Sequence, residues 1–140
     1  MNSRAGQAPE REYMVFNVDR NVRLAERVRI AGTSASRRRG LRGIDRFESF
    51  GGLWIAPCEA IHTFGMKIAI DAVFLDRQFR IRRVRPDLRP GRIAVCLRAD
   101  SVLELAAGVL ARTGTVAGDR LRFEPVARTQ RLEPVVRGVQ

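Results

Sequence analysis

Between residues 13 and 124, every apolar stretch is stopped by a turn-forming residue before it reaches helix length. This favours short strands over long helices. Residues 13–18 (YMVFNV) are an apolar run that ends at Asp19, Arg20 and Asn21. Next, Val22, Leu24, Glu26, Val28 and Ile30 alternate with Arg23, Ala25, Arg27, Arg29 and Ala31. That period of two predicts a strand with one buried face. Residues 32–34 stop it, and Thr33 or Ser34 can cap a short arginine-rich helix over 35–41. Residues 53–56 read as a strand ended by Pro57, and 68–75 (IAIDAVFL) as a central strand. Asp76, Arg77 and Gln78 suggest a tight turn into a pairing strand over 79–84, and Pro86, Pro90 and Gly91 a loop. Residues 93–97, 101–105 and 120–124 are further strands, with a helical turn over 107–113 closed by Gly114. Eight or nine short strands with one or two short helices predict a compact, mainly antiparallel β-sandwich or barrel. One domain is expected over 13–126, with a flexible N-terminal tail over 1–12 and a loosely held C-terminal tail over 127–140.

Charge is the most unusual bulk property. The chain of 140 residues carries a formal net charge of +11. Lys67 is the only lysine, and arginines are spread from Arg4 to Arg137. A basic surface can attract nucleic acid by displacing counterions. The densest run, Arg37, Arg38 and Arg39 with Arg42 and Arg46, has no interleaved aromatics to stack on bases. A solvated basic face is therefore favoured, and a charge-driven nucleic-acid binder is the weaker alternative. No apolar run reaches the roughly 18 residues of a membrane helix, and residues 1–12 lack a secretory apolar segment. A cytoplasmic protein without a membrane partner is expected, with Cys58 and Cys96 as free thiols.

Three groups of residues could carry chemistry. Cys58, His62 and Met66 stand four residues apart and offer thiolate, imidazole and thioether, which suit copper above all. Asp71 or Glu104 can add an oxygen ligand, and zinc is the other metal such a set takes, although the close cysteine pair of a structural zinc site is missing. A straight strand would hold Cys58 and His62 roughly 13 Å apart, so a shared ion requires a bend at Pro57 or Gly65. Cys58 with His62 also suggests a nucleophile and its base, but no orienting third residue is evident. No catalytic residue is assigned on that basis. Asp71 and Glu104 lie inside apolar runs, where an unpartnered carboxylate costs several kcal/mol, so each should have a partner. Their convergence near His62 would create a polar cluster with Phe64, Met66 and Trp54; an internal brace is the favoured use of the two acids. No phosphate-cradling glycine motif is present, since Gly51 and Gly52 lead into a strand, and no cofactor is implied.

Four segments occur in an order that resembles a known family: HTFGM (62–66), IDAVFLD (70–76), VLELAAG (102–108) and AGD (117–119). Together with Ala25 and the RRGL of 38–41, they are similar to the family called domain of unknown function 192 of bacteria and archaea. The resemblance implies a compact β fold and no particular activity. Exported members carry Phe-Trp-Met where this chain has Phe64, Gly65 and Met66, so the chain resembles the cytoplasmic branch. The combined expectation is a small β-domain that binds a small ligand or a protein near His62, Phe64, Met66, Asp71, Glu104 and Trp54. The alternative is metal binding through Cys58, His62 and Met66 or Asp71.

Overall fold

A computed structural model describes residues 11–32 and 51–126. Within them are nine strands: β1 Glu12–Asn17, β2 Val22–Ala31, β3 Gly51–Ile55, β4 Ala60–His62, β5 Ile70–Leu75, β6 Ile81–Leu88, β7 Ile93–Val95, β8 Ser101–Ala106 and β9 Leu121–Pro125. One helix is described, α1 Val109–Thr113, which ends at a left-handed Gly114 as expected. The helix expected over 35–41, and the arginine run around it, lie outside the described residues.

Seven strands form one sheet in the order β6-β5-β8-β3-β2-β1-β9, antiparallel except for the parallel pair β2 and β3. The sheet curls until its two edges meet. Ile81 N–H donates to the Asp119 carbonyl at 2.8 Å, Leu121 N–H to Phe79 at 2.9 Å, and Gly118 N–H to Ile81 at 2.8 Å. Arg80 and Arg120 form the bridge between these edges. The result is a barrel, with β4 and β7 paired as a separate two-stranded ribbon outside it.

Alternation along the strands divides the apolar residues between two cores. Val73, Leu75, Leu103 and Leu105 join Val15, Val28, Ile81 and Leu121 in the barrel interior. Their neighbours Ile70, Ala72, Phe74 and Val102 face outward and are covered by Ile61 and Ala94 of the ribbon, with Met66. Since β5 and β8 face a core on both sides, their residues are almost uniformly buried.

The barrel interior is closed at its ends by different devices. Val109 and Leu110 of α1 pack into it near the start of β5. At the opposite end Tyr13, Trp54, Phe79 and Phe123 pack ring against ring, with Trp54 and Phe123 centroids 4.4 Å apart. Between β3 and β8 the approach is so close that a Cβ on Gly52 would lie 2.9 Å from the Glu104 carbonyl oxygen and 3.1 Å from Leu105. Only glycine fits there.

Two local expectations change. Pro86 belongs to β6 rather than a loop. β6 ends the hydrogen-bonded order, where a residue without N–H is tolerated, and the β5–β6 register shifts nearby. Ile30, expected on a buried face, is 39% exposed. The β1–β2 register shifts around Val15, Leu24 and Ala25 are both buried, and the simple alternation of β2 is interrupted.

Asp71 fastens the helical stopper to the barrel. One carboxyl oxygen accepts Asp87 N–H at 2.9 Å; the other accepts Gly108 N–H at 3.1 Å and Leu110 N–H at 2.9 Å. Asp71→Ala leaves these N–H groups without their acceptor and is expected to lower unfolding stability by about 3 kcal/mol or more. Urea denaturation of both proteins measures the difference, and Asp71→Asn should fall between them.

Candidate functional site

The segment around His62 is a strand followed by a turn. Ala60 and His62 of β4 lie opposite Val95 and Ile93 of β7, and Ile61 lies opposite Ala94. Cys96 N–H donates to Glu59 at 2.8 Å, and Thr63 N–H to Arg92 at 2.8 Å. These bonds make 59/96 and 63/92 hydrogen-bonded pairs, so the His62/Ile93 and Ala60/Val95 pairs between them have closely spaced side chains. Ile61 and Ala94 face the core, whereas His62, Ile93 and Val95 face outward.

Thr63 sets the turn that carries the outward face. It is buried, and its hydroxyl donates to the Arg89 carbonyl at 2.6 Å while accepting Arg92 N–H at 2.8 Å. Its carbonyl accepts Met66 N–H at 3.2 Å and Gly91 N–H at 3.1 Å. Gly65 adopts φ 79°, a value that side-chain-bearing residues rarely hold. The turn leaves Phe64 exposed beside His62, with ring centroids 5.5 Å apart and planes 31° from parallel. Sequence reasoning passed over Thr63. Its signal was a threonine flanked by His62 and Phe64 just ahead of Gly65, which ordinary turn chemistry also produces.

The proposed polar cluster separates across the sheet. His62 and Phe64 are together on the outer surface, while Met66 is buried in the core beneath the ribbon. Asp71 shares a face with Leu105 and turns toward the barrel interior; Glu104 shares a face with Ala72 and Leu53 and turns the other way. Trp54 belongs to the aromatic packing of the interior. The Cys58 thiol donates to the Ala60 carbonyl at 3.1 Å. Among the described residues, no group of three or more His, Cys, Asp or Glu side chains is disposed to hold a metal ion.

The family-motif acids divide into braces and one exception. Burial opposes ionisation of Asp76, yet N–H bonds from Arg80 and Gln78 and the Arg82 guanidinium at 2.9 Å outweigh it. Asp119 is also buried, and bonds from Asn17 at 3.0 Å, Val116 N–H at 3.1 Å and Arg20 at 3.0 Å bring its pKa down. Both carboxyls lie below the ordinary carboxylate range. Glu104 departs from the expectation that each buried acid has a partner. It is 3% exposed, flanked on either side by Ala72 and Leu53, and its Oε2 has no hydrogen-bond partner. Burial alone pushes its pKa up to about 8, so the side chain avoids the cost of a buried charge by remaining protonated at neutral pH.

Comparison with known proteins agrees with this architecture. Residues 9–123 match the family model of domain of unknown function 192, described as "Uncharacterized ACR", and the chain belongs to that family. A protein of unknown function from Novosphingobium aromaticivorans has a similar structure: TM-score 0.68 and 21% identity over 79% of this chain and 83% of that one. A proposed transcription regulator from Sinorhizobium meliloti superposes with a TM-score of 0.71 at 20% identity, covering 84% of this chain and 98% of that one. At such identities the likeness is one of fold. No curated protein matches the chain. Among the described residues no helix is long and apolar enough to cross a membrane.

Glu104 gives a pH signature. Between about pH 4.5 and about pH 8 the folded chain keeps a proton that the unfolded chain has released, so its stabilising contribution declines as pH rises. The full slope is about 1.4 kcal/mol per pH unit. It vanishes below the unfolded value, where both states are protonated, and above the folded one, where neither is. Asp76 and Asp119 act in the opposite sense: their contribution is present above about pH 4 and lost as acid titrates the folded groups. Urea titrations from pH 5 to pH 8 should show wild type losing stability relative to Glu104→Gln as pH rises. Parallel curves would refute a protonated Glu104.

Proposed function

We propose that the protein is a binding module whose contact surface is the outward face of the β4–β7 ribbon. The carrying observation is where the exposed large apolar side chains lie. Of seven among the described residues, four belong to this ribbon and its flanking turns: Phe64, Ile93, Val95 and Leu97. Ile93 is 60% and Leu97 77% exposed, although the inward residues Ile61 and Ala94 already cover the outer core. Apolar atoms gathered on one surface beyond what the fold uses mark a contact site.

The charge around this face favours an acidic protein partner. Residues 59–98, which carry the ribbon, hold nine basic residues against four acids, of which Asp71 and Asp76 are buried, Glu59 is exposed and Asp87 is near Arg89 at 3.8 Å. Among the described residues Arg85, Arg92 and Arg98 form no ion pair. A complementary surface has an apolar centre and a carboxylate rim. The aliphatic share of the face, Ile93, Val95 and Leu97, weighs against a site for stacked bases, which uses planar groups.

The test is NMR titration with acidic peptides that carry a central aromatic or aliphatic pair. Shifts are expected at His62, Phe64, Ile93, Val95 and Leu97, with affinity reduced about tenfold or more by Ile93→Glu or Leu97→Ser and little change in thermal stability. A single-stranded oligonucleotide that shifts the same residues with steep salt dependence, while the peptides do not, would transfer the surface to nucleic acid.

A further inference from the structure

We infer that Cys58 and Cys96 are a reversible oxidation site, in which peroxide converts the two thiols to an intramolecular disulfide at the base of the ribbon. Neither cysteine is in a disulfide, both are partly exposed, and both pack against the same core cluster. The hydrogen bond from Cys96 N–H to Glu59 places Cys96 opposite the residue that follows Cys58. Cys58 N–H is itself bonded to Asp100 at 2.9 Å, and Ala99 N–H to Cys96 at 3.0 Å, which holds both backbones in place.

The spacing follows from strand geometry. Paired residues lie about 5 Å apart across an antiparallel ladder, and one residue adds about 3.4 Å along it, so a residue and the neighbour of its cross-strand partner have Cα atoms about 6 Å apart. Disulfides span roughly 4.4–6.8 Å between Cα atoms. In a regular ladder, residues offset by one step point to opposite faces. Here Cys58 precedes β4, in bent chain after Pro57, and its side chain reaches the same core cluster as Cys96.

The reaction balances with peroxide as oxidant. One thiolate attacks a peroxide oxygen and forms a sulfenic acid as hydroxide leaves and takes up a proton to become water. The second sulfur then attacks the sulfenic sulfur, forming the S–S bond and releasing a second water. Two thiols are oxidised and one peroxide is reduced. The product ties residue 58 to residue 96 beside the surface formed by Ile93, Val95 and Leu97, independently of what that surface binds.

The folded full chain is treated with one equivalent of hydrogen peroxide, alkylated and analysed by mass spectrometry. The expected product is a monomer lighter by two hydrogens, with neither thiol alkylated and one cross-linked peptide joining Cys58 to Cys96. Dithiothreitol should restore both thiols. In Cys96→Ser, a dimedone-reactive sulfenic acid should accumulate on Cys58; in Cys58→Ser, on Cys96. The inference is overturned if wild type keeps both thiols alkylatable, carries sulfinic acid on separate cysteines, or forms only disulfide-linked dimers.

Discussion

The rest of the structure depends on the hydrogen bonds that join the two edges of the seven-stranded sheet. A curled sheet with free edges would expose unpaired N–H and C=O groups and leave its concave face half open. Here residues 79–81 meet residues 118–121, and the concave face becomes an enclosed core. Each side of the junction is held by a carboxylate: Asp76 binds the turn that delivers Arg80, and Asp119 binds Val116 N–H, Asn17 and Arg20. The low pKa values of these acids express that work, because anchoring N–H groups favours the charged form.

The residues that make the chain recognisable are therefore mostly architectural. Asp71 fastens the helical stopper, and Asp76 and Asp119 support the closure. Glu104 belongs to the same recognisable segments and braces nothing through its Oε2. It lies on the outer side of the sheet among apolar neighbours, and its cost is limited by remaining uncharged. Two acids in neighbouring strands, each inside an apolar run, thus have opposite fates.

The ribbon does two jobs with its two faces. Ile61 and Ala94 shield the outer core, and Thr63 ties its turn to the 89–92 loop. The other face presents His62, Phe64, Ile93 and Val95 to solvent. Because β4 and β7 are not part of the barrel ladder, their outward side chains can change without altering closure. Sequence can therefore vary on this ribbon while the barrel below it remains the same.

The sequence by itself determined the β-rich class, most strand positions, the αL stop at Gly114 and the family, because these depend on local period, turn chemistry and ordered motifs. It also favoured a brace for Asp71, since a buried acid needs donors. Which donors, and that Glu104 would have none at Oε2, was decided only by tertiary structure. Strand alternation sent adjacent registers of β5 and β8 to opposite faces, so Asp71 and Glu104 could not meet near His62. Pairing between β4 and β7, three residues each and separated by 30 positions of chain, depended on long-range hydrogen bonds that no local pattern encodes. The barrel's closure was likewise a tertiary decision: periodicity indicates which residues turn inward, but the edge-to-edge hydrogen bonds determine that the sheet ends by meeting itself.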